Sequence, residues 1–198
     1  MSTPIHPHAL RDRTPLLRSG LAALLAVVCL GATAGAASAK LTISSPVMKN
    51  GGTLPTRFTC DGAGISPPIA WATPPRETTS FAVVMQTPAA PARVDDPPTD
   101  DPIHASLLRY ALPSSLRKLT AGQTTVGSFG ANSVNGQNSY APPCSQGPGA
   151  KQYIFTVFAL KTAPTFAAGT AVTRKVLLAA ISKTTLGSAV MTVTYTRP

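Results

Sequence analysis

Residues Ala141 to Leu160 read APPCSQGPGAKQYIFTVFAL, a stiff loop that runs directly into the most apolar segment of the chain. Pro142, Pro143 and Pro148 fix φ near −65°, while Gly147 and Gly149 supply torsions that a β-carbon forbids, so the loop is expected to hold one shape. Tyr153 to Leu160 is almost entirely β-formers and is apolar on both of its alternating faces. That pattern predicts an interior strand covered on both sides. Lys151 and Tyr153, two residues apart, point to one face at the mouth of this strand. An ammonium and a phenol beside a rigid loop make a candidate binding site.

Other strands fall in place around this one. Lys40–Ser45 alternates and ends at the turn signal Asn50-Gly51-Gly52. Phe58–Trp71 turns at Asp61-Gly62 and Gly64, stiffens at Pro67-Pro68, and returns to a strand with Ile69 and Trp71 on one face. Thr79–Met85 is nearly all apolar and predicts a second central strand, ending at Pro88. Ile103–Leu112 is a further strand closed by Pro113. Gly122–Gln137, rich in Gly, Asn, Ser and Thr, predicts a long irregular stretch that packs over the sheet or serves function. Thr173 can cap a helix through about Ser182, with Val176, Leu177, Ala180 and Ile181 as its apolar stripe. Ser188–Arg197 alternates again, with Met191, Val193 and Tyr195 on one face and threonines on the other. Many short strands with one sizeable helix predict a β-sandwich.

The N-terminal segment has a different character. Arg11, Arg13 and Arg18 precede an apolar run from Leu21 to Leu30, and small residues lead to Ala37-Ser38-Ala39. This is the pattern of a secretory signal peptide over residues 1–39, with cleavage after Ala39 and no transmembrane anchor afterwards. Cys29 follows the bulky Val28 and is followed by more apolar residues, which leaves lipid attachment there as the lesser alternative to cleavage. Residues 40–198 are enough for a single domain burying about 70% of its unfolded surface. The formal charge is +10 for the whole chain and about +8 without the leader. That favours anionic partners such as phosphate groups. Scattered cations, few aromatics and an extracytoplasmic address argue against nucleic acid. After the leader only Cys60 and Cys144 remain, in an oxidising periplasmic or secreted setting, and they are expected to form one disulfide.

Enzymatic and metal chemistry find little support. His104 is the only histidine beyond the leader, no G-x-S-x-G elbow presents a serine to it, and a zinc site lacks ligands. No phosphate-cradling P-loop or dinucleotide fingerprint occurs. Asp95, Asp96, Asp100 and Asp101 crowd Pro91–Pro102, but without the Gly-centred, Glu-ended spacing of a calcium loop they predict a solvated acidic loop. No metal and no cofactor is expected.

Three stretches together resemble the phosphatidylethanolamine-binding protein family, in its bacterial YbhB/YbcL-like, Raf-kinase-inhibitor-like branch. Thr59-Cys60-Asp61-Gly62 with Ser66-Pro67-Pro68-Ile69-Ala70-Trp71 is similar to the family's T-C-D-G…S-P-P-L-x-W segment. Tyr140-Ala141-Pro142-Pro143-Cys144 resembles its G-Y-x-G-P-C loop, and Gly149-Ala150-Lys151-Gln152-Tyr153 falls where the family has G-x-H-R-Y. The resemblance implies a mainly β, two-sheet sandwich with Greek-key connections, one or two short helices and a small anion pocket.

Carried over residue by residue, His104 and Tyr153 match the family's pocket. Thr87-Pro88-Ala89-Ala90-Pro91 stands in place of D-P-D-x-P without either carboxylate, Lys151 and Gln152 replace a His-Arg pair, and Ala105 stands where bacterial members usually have Trp. The chain is thus a divergent member. Losing the acid and the arginine together is cheaper than losing one, so neutral packing is expected to replace an ion pair while the cavity survives. The expected pocket joins His104, Lys151 and Tyr153 with Thr87 and Pro143 at its border. A lysine there presents a lasting positive charge where histidine gives a titrating one. The expected ligand is a phosphate-like anion or a phospholipid head group. The alternative is a protein-interaction module of the kinase- or peptidase-inhibitor kind, with a protein partner and no small ligand.

Overall fold

The computed structural model describes residues 40–88, 103–144 and 149–198. The leader expected over residues 1–39, the acidic loop expected at 91–102 and the Ser145–Pro148 part of the proline-rich loop lie outside the described residues.

Among the described residues, eight strands form two antiparallel sheets. The small sheet has β1 (Thr42–Ser44), β2 (Ile69–Ala72) and β5 (Lys118–Leu119) in that order. The large sheet runs β6 (Ser128–Phe129), β4 (Ile103–Pro113), β3 (Ser80–Pro88), β7 (Lys151–Leu160), β8 (Thr185–Tyr195). β3, β4 and β6 lie side by side, and β7 returns to the other flank of β3, which is the Greek-key order. A 3₁₀ turn at Thr56–Phe58 and α1 (Arg174–Ile181) complete the regular structure. Thr173 caps α1 as expected, its side chain accepting the Val176 N–H at 3.4 Å.

Two cores lie on opposite faces of the large sheet. Between the sheets, Ile69 and Trp71 of β2 meet Phe81, Val83 and Met85 of β3, with Phe155 and Val157 of β7 beside them. The Trp71 and Phe81 rings are 5.2 Å apart and tilted by 57°, a favourable aromatic pairing across the gap. On the outer face Ala82 and Val84 of β3 pack with Leu108 of β4 under Leu177 and Ile181 of α1.

Three expectations are corrected by this arrangement. β7 is interior, but Ile154, Thr156 and Phe158 on its outer face are only half-buried. α1 has eight residues, about 12 Å of helix, too short to roof that face along its whole length. The helix buries Leu177 and Ile181 and packs Leu178 beside them, whereas Ala180 is exposed. With two turns only, the contact centres on the i, i+4 pair. The stretch Gly122–Gln137, expected as irregular, contains β6, paired with β4 through Phe129 opposite Arg109.

That pair buries a charge. Arg109 is 1% exposed, and its guanidinium lies 3.9 Å above the Phe129 ring. Nη1 donates to the Gln123 carbonyl at 2.7 Å, while Nε and Nη2 meet no partner among the described residues. Burial holds this guanidinium's pKa below its ordinary value. The cation–π contact and the bond to Gln123 tie the loop between β5 and β6 down onto the sheet.

The expected disulfide is present: Cys60 and Cys144 are bonded with their Cα atoms 5.3 Å apart. The same two loops share the Cys60 N–H bond to the Pro143 carbonyl at 3.0 Å and the Tyr140 hydroxyl bond to the Phe58 carbonyl at 2.6 Å.

Two stability predictions follow from these contacts. Arg109→Ala is expected to cost about 2–4 kcal/mol by opening a cavity and freeing the Gln123 carbonyl. Arg109→Met, which keeps the stem and removes the unpartnered nitrogens, is expected to cost under about 1.5 kcal/mol. Urea midpoints for the two variants decide it, and equal losses would contradict the assignment. The disulfide joins residues 84 apart in sequence. For a loop of that length, chain entropy gives an upper estimate of about 4.5 kcal/mol lost when both cysteines become serine, seen as a lower melting temperature of the double variant.

Candidate functional site

Burial along β3 is complete from Ser80 to Met85 and then relaxes, with Gln86 and Thr87 half-buried and Pro88 exposed. Beside this end of β3 a cavity of about 400 Å³ opens. Thr87 pairs with His104 across β3 and β4. On the other flank Gln86 pairs with Ile154, so the next step along the ladder brings Tyr153 beside Thr87. A row of three neighbouring strands therefore carries His104, Thr87 and Tyr153. Lys151 lies two residues before Tyr153 on the same side of β7. Pro143 closes the opposite wall from the disulfide-tied loop, and the cavity lining includes all five residues singled out in the sequence.

Each wall is held by local chemistry. Asn132, 2% exposed, builds a turn with its own side chain: Oδ1 accepts the N–H groups of Val134 and Asn135 at 2.9 and 3.0 Å, and Nδ2 donates to the Gln137 carbonyl at 2.9 Å. This turn delivers Ser133 and Val134 to the cavity. Ser133 docks on β4 like a strand residue, its N–H donating to the Ala105 carbonyl at 3.0 Å and its Oγ accepting the Ala105 N–H at 2.6 Å. On the facing side, the Ala141 N–H donates to the Ser106 carbonyl at 2.8 Å, which fixes the loop that carries Pro142, Pro143 and Cys144.

The lining includes the polar residues Lys151, His104, Tyr153, Ser106, Ser133 and Thr87 beside the prolines and Val134. Among the described residues no carboxylate lines it. Tyr153 is 3% exposed, yet its hydroxyl meets no hydrogen-bond partner among the described residues, nor do the side chains of Lys151 and His104. Burial, with Tyr195 nearby, pushes the Tyr153 phenol up to about 12, so it remains a donor throughout the neutral range. Tyr140, behind it, is raised further by burial and by Tyr153.

Two readings of the sequence change here. Gln152 is exposed and does not line the cavity. Successive residues of a strand face opposite sides, so Gln152 stands on the other side of β7 from Lys151 and Tyr153, and Ala89, at the second of the two acid positions, lies outside the described residues. Ser106, Ser133 and Val134 were not foreseen. A lone hydroxyl inside the apolar run Ala105–Leu108 was the one signal for Ser106, and Asn132 before Ser133 was the signal for a side-chain-built turn. No group of three or more His, Cys, Asp or Glu side chains capable of holding a metal occurs among the described residues.

The buried phenols generate a prediction for alkaline solution. In the unfolded chain tyrosine ionises around its ordinary 10.0, whereas folded Tyr153 keeps its proton to about 12. Between these values the unfolded state binds fewer protons. The stability contributed by the neutral phenol is thus complete below pH 10.0 and is lost as pH rises through about 12. Urea midpoints between pH 9 and about 11.5 are expected to fall, and Tyr153→Phe is expected to flatten that fall.

Comparison with known proteins agrees with the fold and the motifs. A family model described as phosphatidylethanolamine-binding protein matches residues 44–196. The UPF0098 protein Rv1910c of Mycobacterium tuberculosis is 32% identical over 143 residues, covering 71% of this chain, and the chain spans less than two thirds (65%) of that relative's length. LppC, a protein of the same organism named as a lipoprotein, is 27% identical over 173 residues, covering 76% of this chain and 81% of the relative. The crystal structure of a phosphatidylethanolamine-binding protein homologue, CT736 from Chlamydia trachomatis, superposes with a TM-score of 0.71 at 26% identity, over 80% of this chain and 99% of that one. No helix among the described residues is long and apolar enough to cross a membrane. With the two-sheet Greek key, the T-C-D-G and P-C loops joined by their disulfide, and a model match over most of its length, the chain belongs to the phosphatidylethanolamine-binding protein family.

Proposed function

We propose that this protein is an extracytoplasmic binding protein that takes a phosphate-like anion, free or as part of a phospholipid head group, in the cavity at His104, Lys151 and Tyr153, with Thr87 and Pro143 at its border. The observation that carries the reading is the convergence of three unpartnered groups, an ammonium, an imidazole and a 3% exposed phenol, on a cavity with no carboxylate among its described lining. Of the three, the Tyr153 phenol is withdrawn from water and left unsatisfied, which is costly, while Lys151 is half-buried and His104 exposed, and an oxyanion in the cavity can accept from all of them. The formal charge, about +8 without the leader, attracts anions to the surface in the first place.

An extracytoplasmic address is supported by the leader pattern at residues 1–39, by the disulfide and by the name of the lipoprotein relative. Binding, with no covalent turnover, is the reading we adopt, in keeping with the absence of a nucleophile elbow from the sequence. The interaction-module reading draws on Val134, which is 62% exposed at the rim of the cavity.

Calorimetric titration with inorganic phosphate separates the two. Saturable binding is expected, and Lys151→Ala is expected to weaken it by about 1.5–3 kcal/mol, the worth of a charged hydrogen bond. No heat of binding at millimolar phosphate overturns the anion pocket and leaves the interaction module.

A further inference from the structure

β4 carries one residue more than β3 between the pairs Gln86–Ala105 and Met85–Leu107, and that residue is Ser106. An extra residue of this kind breaks the strict alternation of a strand and re-aims a side chain. Leu107 goes into the core between the sheets with Met85, while Ser106 lines the cavity with His104 and Tyr153. The bulge is pinned from the far wall by the Ala141 N–H on the Ser106 carbonyl. Ser106 is 3% exposed, and its hydroxyl has no hydrogen-bond partner among the described residues. Nor is it one of the sealed orphan atoms, which are nitrogens of Trp71 and Arg109. The hydroxyl therefore opens into the cavity. A buried hydroxyl without a protein partner is unfavourable unless something in the cavity satisfies it, and an apolar residue would have suited the run Ala105–Leu108 equally well.

We propose that Ser106 contacts the ligand and makes the cavity select a phosphate monoester over a diester; this rests on the anion-pocket reading above. Donors arrive from three separate elements: the Ser106 hydroxyl from β4, Tyr153 and Lys151 from β7, and the Ser133 hydroxyl from the Asn132 turn. The Ser133 oxygen is already occupied as an acceptor by the Ala105 N–H, which leaves its proton for the cavity. A monoester offers three free oxygens spread tetrahedrally and sends one ester arm out through the mouth. A diester offers two, and so leaves more of these donors without a free oxygen. Sites built to hydrogen-bond a group reject analogues that leave their own buried donors empty. The shared chemistry is a terminal phosphate, whether on a small soluble ester or on a lipid with an unsubstituted phosphate head.

The test titrates ethyl phosphate and diethyl phosphate into the wild-type protein, Ser106→Ala and Ser106→Thr. Ethyl phosphate is expected to bind about tenfold or more tighter than diethyl phosphate. Charge alone favours the monoester, so the deciding measurement is the change on mutation. Ser106→Ala is expected to lose about tenfold for ethyl phosphate and less than about twofold for diethyl phosphate, with its melting temperature held, and Ser106→Thr to retain the preference. Equal losses for the two esters, or no loss for either, overturn the role of Ser106 while leaving the anion pocket standing. Absence of binding by either ester removes the pocket and this proposal together. Co-sedimentation with phosphatidylcholine vesicles containing phosphatidic acid supports the proposal with a lipid as the source. Binding of ethyl phosphate without co-sedimentation supports it with a soluble ester.

Discussion

The structure depends on β3 being buried on both faces. Phe81, Val83 and Met85 turn toward the small sheet and Ala82 and Val84 toward α1, so each side of one strand has to be roofed by a different layer. An interior strand of this kind needs hydrogen-bonded neighbours on both edges as well, which β4 and β7 supply. β7 reaches that position only by crossing from the far edge of the sheet, and the Greek-key order results. Where the burial of β3 ends, at Gln86 and Thr87, the cavity opens among β3, β4, β7 and the loops that carry Ser133 and Pro143.

Much of the T-C-D-G motif is explained by loop anchoring. Asp61 receives the Tyr195 hydroxyl on Oδ2 at 2.7 Å and the Arg197 Nε on Oδ1 at 2.9 Å, binding the loop to the end of β8. A β-carbon at Gly62 would collide with the Thr56 carbonyl and approach the Arg57 Cα to 2.8 Å, so only glycine fits. Thr59, fully buried, donates its hydroxyl to the Thr56 carbonyl at 2.8 Å. These residues make a rigid platform, and the disulfide transfers that rigidity to Pro142 and Pro143. The motif thus reaches the cavity at second hand, through the wall that it holds.

The electrostatics of the cavity follow from substitutions concentrated at its mouth. Threonine and lysine stand where the family pattern has carboxylate and imidazole, so the described lining offers donors and little that would repel an anion. Arg109 shows the opposite case a short distance along the same strand. There a cation is buried with no acid, held by one carbonyl and the face of Phe129, and its place is structural.

The alternation of β-formers was enough to locate β3, β4, β7 and β8, because a period of two is a local property of each strand. It also placed Lys151 with Tyr153 on one side of β7, and setting Cys29 aside with the leader left Cys60 and Cys144 as the pair. Thr173 announced the start of α1 through its own side chain. Pairing between strands is not local, and the remaining features belong to pairing. Leu107 follows Ser106 onto the inner side because β4 slips one residue against β3, and no residue type in Ala105–Leu108 encodes that slip. Arg109 is buried because β6 sets Phe129 opposite it, and the outer face of β7 is half-open because α1 settles elsewhere. Sequence determined which segments become strands and which chemistry they carry; tertiary structure decided which side chains meet, since register and layer contact are fixed only when distant segments pack together.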